Sequence, residues 1–256
     1  SSKLDVRNLD ASGEWMQEQP DPPLPFSLKA ESLAVDLDAE TLAPATIEAR
    51  LGDLPVRITT RGEKLFGAYV VSGNVTVDNV APRKVLPSLG VELPVTADPA
   101  TLSQLSYKSD YRLTEKQLQL PALELVLDET QVRGSAAIED LEAMALRFDL
   151  NVNAINVDRY LEPEPKEGEA SEPAAEEPPT DLPIEALREL NARGSLRIGK
   201  ATLSGLEFAD IRLPLEAKSG RVHLGPTQAR LFGGGYAGDI VLDARPALEH
   251  IAARGV

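Results

Sequence analysis

The stretch that decides the fold is residues 143–161, which read Ala143-Met-Ala-Leu-Arg-Phe-Asp-Leu-Asn-Val-Asn-Ala-Ile-Asn-Val-Asp-Arg-Tyr-Leu161. Apolar residues at positions 146, 148, 150, 152 and 154 alternate with arginine, aspartate and asparagine. This period of two is typical of a strand with one apolar face and one face in water. The phase slips at Ile155, where a short apolar cluster ends the strand. The stretch therefore predicts one half-buried β-strand.

Similar alternation recurs on both sides of this stretch. Further strands are predicted at 26–30, 33–37, 47–51, 56–58, 69–77, 105–113, 118–120, 123–127 and 132–138, and then at 195–203, 206–217, 221–224, 228–232 and 235–245. Glycine, proline, aspartate or asparagine separates most of these runs. Because the intervals leave no room for parallel crossovers, the sheet is predicted to be mainly antiparallel.

The remaining segments set the predicted domain organisation. Residues 1–25 form an N-terminal strand and a proline-rich connector, and 26–161 form a first β region. Pro82 with Gly90, and Asp98 with Pro99, indicate two short helices near 81–103 that plug one end or edge of the sheet. Residues 162–183, rich in proline and glutamate, are predicted to be a disordered loop. Residues 184–256 then supply a helix at 184–190 and a second β region that continues the same sheet.

One motif occurs three times in the chain. An apolar residue, a glycine two positions later and further alternating apolar residues surround Gly73, Gly134 and Gly238. In each case the glycine falls on the apolar face, where a missing side chain allows bending or close approach of a neighbouring strand. Such glycines predict a long, curved sheet of repeated meander units, although the motif is common enough among β proteins to recur by chance.

Composition limits the partners that the chain can have. The net charge of −15 argues against a nucleic-acid partner and against tight adsorption to anionic lipid. The chain has no cysteine and no run of eighteen apolar residues. Together with the absence of a signal peptide, this predicts a soluble piece of a longer protein.

No catalytic, cofactor or metal constellation is recognisable in the sequence. His223 and His250 are the two histidines, and neither has a second ligand at a suitable spacing, so both are expected to be solvated. The triple glycine 233–235 lies between apolar residues without a following helix and predicts a hairpin turn, not a phosphate site. The chain is therefore predicted to be non-enzymatic and without a cofactor or metal.

Three segments resemble the AsmA family. They are Leu146-Arg-Phe-Asp-Leu150 with Asn156-Val-Asp-Arg-Tyr-Leu161 before the proline/glutamate insert, the segment 182–199, and Arg230-Leu-Phe-Gly-Gly-Gly-Tyr-Ala-Gly238. The segments 79–91 and 96–102 resemble the preceding part of the same family region. This resemblance, which also extends to bridge-like lipid-transfer proteins of the TamB type, implies a periplasmic β structure of Gram-negative bacteria. It also implies an anchor in the inner membrane, through a segment absent from this chain, and a role in phospholipid transport to the outer membrane and in its maintenance.

The apolar side chains have two alternative interpretations. The residues alone favour a closed sandwich, in which these positions are core, because that is the commoner solution. The resemblance favours an open groove in which an aliphatic lining, poor in aromatic residues, holds acyl chains. The predicted lipid-binding residues in that case are Leu123, Leu125, Val132, Leu146, Phe148, Leu150, Val152, Leu196, Ile198, Ile240 and Leu242.

A function of another class stays open at this point. The chain could be a protein-interaction scaffold that assists outer-membrane protein assembly through an exposed strand edge. Its partners would then be outer-membrane or inner-membrane proteins in place of phospholipid.

Overall fold

The computed structural model describes residues 2–16, 23–163 and 188–245, and the backbone of residues 253–254. The chain divides into two compact units. The first comprises Ser1–Pro94 and Ala100–Asn153, and the second comprises Val95–Pro99 and Ala154–Val256. Three predicted features lie wholly or partly outside the described residues. They are positions 164–183 of the predicted disordered loop at 162–183, positions 184–187 of the predicted helix at 184–190, and His250.

The first unit is an antiparallel meander. Its elements are β1 (Lys3–Trp15), β2 (Leu24–Asp36), β3 (Thr41–Leu51), β4 (Leu54–Glu63), β5 (Val70–Val80), α1 (Pro82–Ser88), β6 (Leu105–Thr114), β7 (Leu118–Leu127), β8 (Thr130–Asp140) and β9 (Ala145–Asn156). The last three residues of β9 belong to the second unit. Each strand pairs with its neighbour in chain order. The predicted fold class, mainly β with an antiparallel sheet, is confirmed.

This sheet has one layer and is open. Within its described part, the extensive contacts of each strand are with its chain neighbours, and β1 does not pair with β9. The closed sandwich favoured by the residues alone is therefore not the structure that forms. Buried aliphatic residues are correspondingly few and small, and those in the described part of the first unit are Ala30, Ala45, Val77 and Val85.

β7 is longer than the periodicity predicts because a bulge joins two runs. On β7, the register shifts between Leu120 and Leu123, so that the runs 118–120 and 123–127 form one strand. A slip of one residue in a strand moves every following side chain to the opposite face. The bulge compensates for the change of phase in the sequence, and the apolar residues on both sides of it stay on one face.

One short helix, not two, lies between β5 and β6. α1 begins with Pro82 and is followed by Gly90, as predicted. The second helix, predicted from Asp98 and Pro99, is wrong, because residues 98–102 form bends and turns. Leu102 has a φ of 56°, which an α-helix does not permit, and the Asp98 carboxylate accepts a 2.8 Å hydrogen bond from Arg159 instead of capping a helix.

α1 and the chain after it close one end of the first unit. The backbone N–H of Asp53, in the β3–β4 turn, donates to Ser88 Oγ at 2.7 Å. At the β7–β8 turn, Asp128 accepts hydrogen bonds from the backbone N–H groups of Leu102, Ser103 and Gln104 at 2.8, 2.9 and 3.1 Å. The prediction that this segment plugs one end of the sheet agrees with these contacts.

The second unit is also an antiparallel meander. Its strands are β10 (Ala192–Leu203), β11 (Leu206–Lys218), β12 (Arg221–Leu231), β13 (Gly234–Asp243) and the two-residue β14 (Ala253–Arg254). The β12–β13 connection is a tight turn at Phe232 and Gly233, which confirms the predicted hairpin. The Asp158 carboxylate accepts hydrogen bonds from the N–H groups of Ser204 and Gly205 and fixes the β10–β11 turn.

Candidate functional site

Seven of the predicted lipid-binding residues lie together on one face of β7, β8 and β9. Cross-strand register aligns them in four rows: Leu125–Val132–Val152, Leu123–Gly134–Leu150, Leu120–Ala136–Phe148 and Leu118–Ile138–Leu146. Residues directly opposite each other in antiparallel strands have Cβ atoms about 5 Å apart. The rows therefore form one continuous aliphatic surface, which we call the apolar face.

The apolar face is reachable from outside. None of the seven residues is fully buried, and Leu146 retains 37 % of its surface. Neighbouring side chains on the same face provide the partial burial, because no second sheet lies over them in the described part of this unit. A single layer of this kind leaves aliphatic surface available to a ligand.

The apolar face continues across the whole first unit. One row, traced by register from β1 to β9, reads Leu9, Ala30, Ile47, Ile58, Val75, Ser109, Leu123, Gly134 and Leu150. Alternation predicts these strands, but Ile47, Ile58 and Val75 are not among the residues predicted to bind lipid. Only the pairing register, which alternation within one strand does not contain, places them beside Leu123 and Leu150.

Ser109 is the polar member of this row. It retains 1 % of its surface and lies opposite Val75 and Leu123. Its Oγ donates a 2.8 Å hydrogen bond to the carbonyl of Asp110. Because the hydroxyl is satisfied by the backbone, Ser109 does not place an unpaired donor in the row.

Two glycines bring strands close together on the apolar face. A Cβ on Gly73 would lie far inside van der Waals contact with the carbonyl oxygen of Thr59, and a Cβ on Gly134 would meet the carbonyl of Asp149 in the same way. The predicted role of these glycines in close approach thus agrees with the geometry. At Gly238, in the second unit, a Cβ would instead meet the movable side chain of Tyr236.

In the second unit, the four remaining predicted residues also share a face. Leu196 lies opposite Leu213 and Ile198 opposite Ile211, while Ile240 lies opposite Leu224. Leu242, opposite Val222, has a different environment from the others. It packs with Leu190 against the buried cluster of Ala192, Ala217 and Val222, so that this end of the face is already covered.

The opposite face of the first unit is charged. Cross-strand ion pairs join Arg133 to Glu124 at 3.6 Å and Arg147 to Glu139 at 3.1 Å. An open cleft of about 1200 Å³ in this unit is lined by residues of both faces, among them Lys29 and Glu48 of the charged face and Ala30 of the apolar row. Exposed ion pairs contribute about 0–1 kcal/mol each, so this face keeps the sheet solvated and adds little stability.

The described residues contain no arrangement typical of a catalytic or metal site. No group of three or more histidine or carboxylate side chains among them is placed to hold a metal ion. His223 lies on the polar side of β12, as predicted, and its Nε2 is 2.8 Å from Asp239 Oδ1. Within the described ranges, no helix has the length and hydropathy needed to cross a membrane.

The candidate site is therefore an extended, largely aliphatic surface backed by a charged face. Scans against protein-family models, characterised proteins and solved structures find no match to this chain.

Proposed function

We propose that this chain is part of a periplasmic, non-enzymatic lipid-transport protein that binds the acyl chains of phospholipids on its apolar face. In the full-length protein, an inner-membrane anchor would hold it in place, and it would serve phospholipid transport to the outer membrane and maintenance of that membrane. The observation that supports this most directly is the row, aliphatic except for Ser109 and Gly134, that crosses all nine strands of the first unit without a covering layer in its described part.

Burial energetics favour an acyl chain as the occupant. Burying one methylene gains about 0.8 kcal/mol, so an acyl chain of ordinary length gains on the order of 10 kcal/mol before the ordering cost. The face is built mainly of leucine, valine, isoleucine and alanine, and aromatic residues are only 4 % of the chain. Sugars and bases are usually held by aromatic stacking and by several converging polar groups, which this face does not offer.

The location is inferred from the resemblance to the AsmA family. The periplasmic location, the inner-membrane anchor and the transport of phospholipid to the outer membrane are all proposed from that resemblance. The apolar face itself specifies none of the three. The net charge of −15 accords with a surface that takes up individual lipid chains and does not adsorb to anionic head groups.

Lipid extraction tests the proposal. The protein would be purified without detergent, extracted with organic solvent and examined by mass spectrometry, and we expect co-purified phospholipid. In the Leu150→Asp variant, a carboxylate lies on the apolar face at β9. Bound phospholipid should fall to about a tenth or less because an unpaired charge in an apolar site is costly.

The matched control is Asn151→Asp. It adds the same charge at the next position of β9, on the opposite face. Its lipid content should equal that of the unmodified protein. Equal lipid in a folded Leu150→Asp variant would show that acyl chains do not bind at this face.

A scaffold function is the second candidate, and the exposed edge of β1 favours it. β1 has thirteen residues and pairs on one side with β2, while its other side has no partner strand in the described part of the unit. Such an edge offers unpaired N–H and C=O groups to a strand of another protein. A lipid-free extract combined with capture of a specific membrane protein would favour this function over lipid transport.

A further inference from the structure

The end of the first unit that lies opposite α1 is formed by four connections. They are the turns at 37–40, 64–69, 115–117 and 141–144, which join β2 to β3, β4 to β5, β6 to β7 and β8 to β9. We call this set the turn rim. The strands alternate in direction, so every second connection lies at the same end of the sheet, about 10 Å from the next.

Backbone hydrogen bonds join neighbouring turns of the rim. The N–H of Leu65 donates to the carbonyl of Glu40 at 3.0 Å, and the N–H of Leu141 donates to the carbonyl of Lys116 at 2.9 Å. Leu65 and Leu141 are themselves half-buried. These bonds make the rim a defined structure, from which the adjacent side chains project.

Large apolar side chains project from three of the four turns. Phe66 retains 65 % of its surface, Met144 59 % and Leu37 41 %. These three residues lie on three separate turns of the rim. Apolar side chains at one end of a sheet can enter the interface of a lipid layer, where each one that leaves water adds to binding.

The charges of the rim indicate which lipid it fits. Its turns carry four acidic residues and two lysines, namely Asp38, Glu40, Glu115, Glu142, Lys64 and Lys116. An anionic surface would repel this arrangement, whereas a zwitterionic surface would not. The other end of the same sheet carries α1 and the segment bound by Asp128, so that, among the described residues, the turn rim is the end formed by turns alone.

We propose that the turn rim docks on a zwitterionic lipid surface, with Phe66, Met144 and Leu37 inserted among the acyl chains. This inference rests on the proposed lipid-transport function for its purpose, since it places one end of the apolar face against a membrane with which lipid is exchanged. The docking itself uses residues outside the rows that hold the acyl chain.

A single fluorescent reporter tests the insertion. The chain has one tryptophan, Trp15, at the opposite end of the same sheet. In the double variant Trp15→Phe/Phe66→Trp, the reporter lies in the rim. Phosphatidylcholine vesicles with brominated acyl chains should quench this variant and shift its emission to the blue, and should leave the unmodified protein unquenched. Absence of quenching in the double variant would overturn the proposal.

Vesicle flotation measures how much the rim side chains contribute to membrane binding. Phe66→Ser/Met144→Ser should lower partitioning onto phosphatidylcholine vesicles by at least about tenfold, because two apolar side chains no longer leave water. The matched control, Trp15→Ser/Met16→Ser, removes two exposed apolar residues at the other end and should leave partitioning unchanged. Binding that requires added phosphatidylglycerol, or that the rim variant retains, would contradict insertion of the rim.

The proposal of lipid binding on the apolar face and the proposal of membrane docking by the turn rim can be rejected separately. Leu150→Asp should still float with vesicles although its phospholipid content falls, and Phe66→Ser/Met144→Ser should keep its phospholipid although it no longer floats. Vesicle binding by a protein without extractable lipid would support the turn rim and reject lipid transport. Extractable lipid without vesicle binding would support lipid transport and reject docking of the turn rim.

Discussion

Gly73 is a residue at which the first unit should be sensitive to one added carbon. A Cβ there would overlap the carbonyl oxygen of Thr59 on the neighbouring strand, and that oxygen belongs to the backbone and cannot rotate away. We therefore expect Gly73→Ala to lower the free energy of unfolding by about 1–3 kcal/mol, the usual cost of overpacking. Urea denaturation of the two proteins measures the difference.

Gly67→Ala is the matched control for this substitution. Gly67 lies in the β4–β5 connection of the same unit, and a Cβ there would have no atom within 4 Å. The free energy of unfolding should change by less than about 0.5 kcal/mol. A Gly73→Ala protein as stable as this control would mean that β4 and β5 do not approach as closely as described.

Asp243 provides a prediction on pH dependence. A side-chain hydrogen bond from the Arg245 guanidinium holds the pKa of Asp243 at about 2, below its ordinary value of 3.8. Since the folded pKa is depressed, the contribution of the carboxylate to stability is complete above the ordinary value and is lost as the pH falls toward about 2. Carboxyl ¹³C titration should show this low pKa, and Arg245→Gln should raise it. An Asp243 that titrates near 3.8 in the unmodified protein would contradict the contact.

At the scale of elements, bulges and turns keep the apolar face continuous. β1 illustrates the difficulty of seeing this in the sequence. Leu4 and Val6 occupy even positions, whereas Leu9 and Ala11 occupy odd ones, yet register places both pairs opposite apolar residues of β2. The phase changes at Asn8, whose φ of 51° is not visible in the order of residues. For this reason 1–25 was less predictable than 143–161, where alternation runs without interruption through most of β9.

Asp128 is the side chain that holds the segment after α1 against the sheet. It has a φ of 51° and accepts hydrogen bonds from three consecutive backbone N–H groups, those of Leu102, Ser103 and Gln104. Asp128→Gly removes the acceptor while tolerating the positive φ. We expect the free energy of unfolding to fall by about 1–3 kcal/mol. Hydrogen exchange of the three amides should accelerate.

Asp128→Asn is the graded control, because it keeps one side-chain oxygen and tolerates the same backbone conformation. Its exchange rates should lie between those of the unmodified protein and of Asp128→Gly. Unchanged exchange at Leu102, Ser103 and Gln104 in Asp128→Gly would show that these N–H groups have another acceptor.

For the whole molecule, the sequence predicted the class of fold better than the composition of the site. Periodicity placed most strands, and the turn residues between them predicted antiparallel pairing. It could not decide between a sandwich and an open sheet, because both have the same alternation within each strand. The site was incomplete for a related reason: Ile58 and Val75 join Leu123 and Leu150 only through pairing across strands.

Tertiary contacts also overrode a local signal that the sequence made plausible. Asp98 followed by Pro99 is a reasonable start for a helix. In the structure, the N–H of Asp98 donates to the carbonyl of Arg159, and its carboxylate binds the Arg159 side chain. A partner about sixty residues away in the chain cannot be recognised from the local pattern.

Pairing by chain order in the first unit has a consequence for how such a sheet lengthens in evolution. Insertion of one strand would reverse every strand that follows it and would carry their turns to the other end. Duplication of a hairpin preserves both the direction of the strands and the side on which each turn lies. Growth by two strands at a time therefore extends the apolar surface while Phe66 and Met144 stay at the same end, and lengths differing by an even number of strands are the ones expected among relatives of this unit.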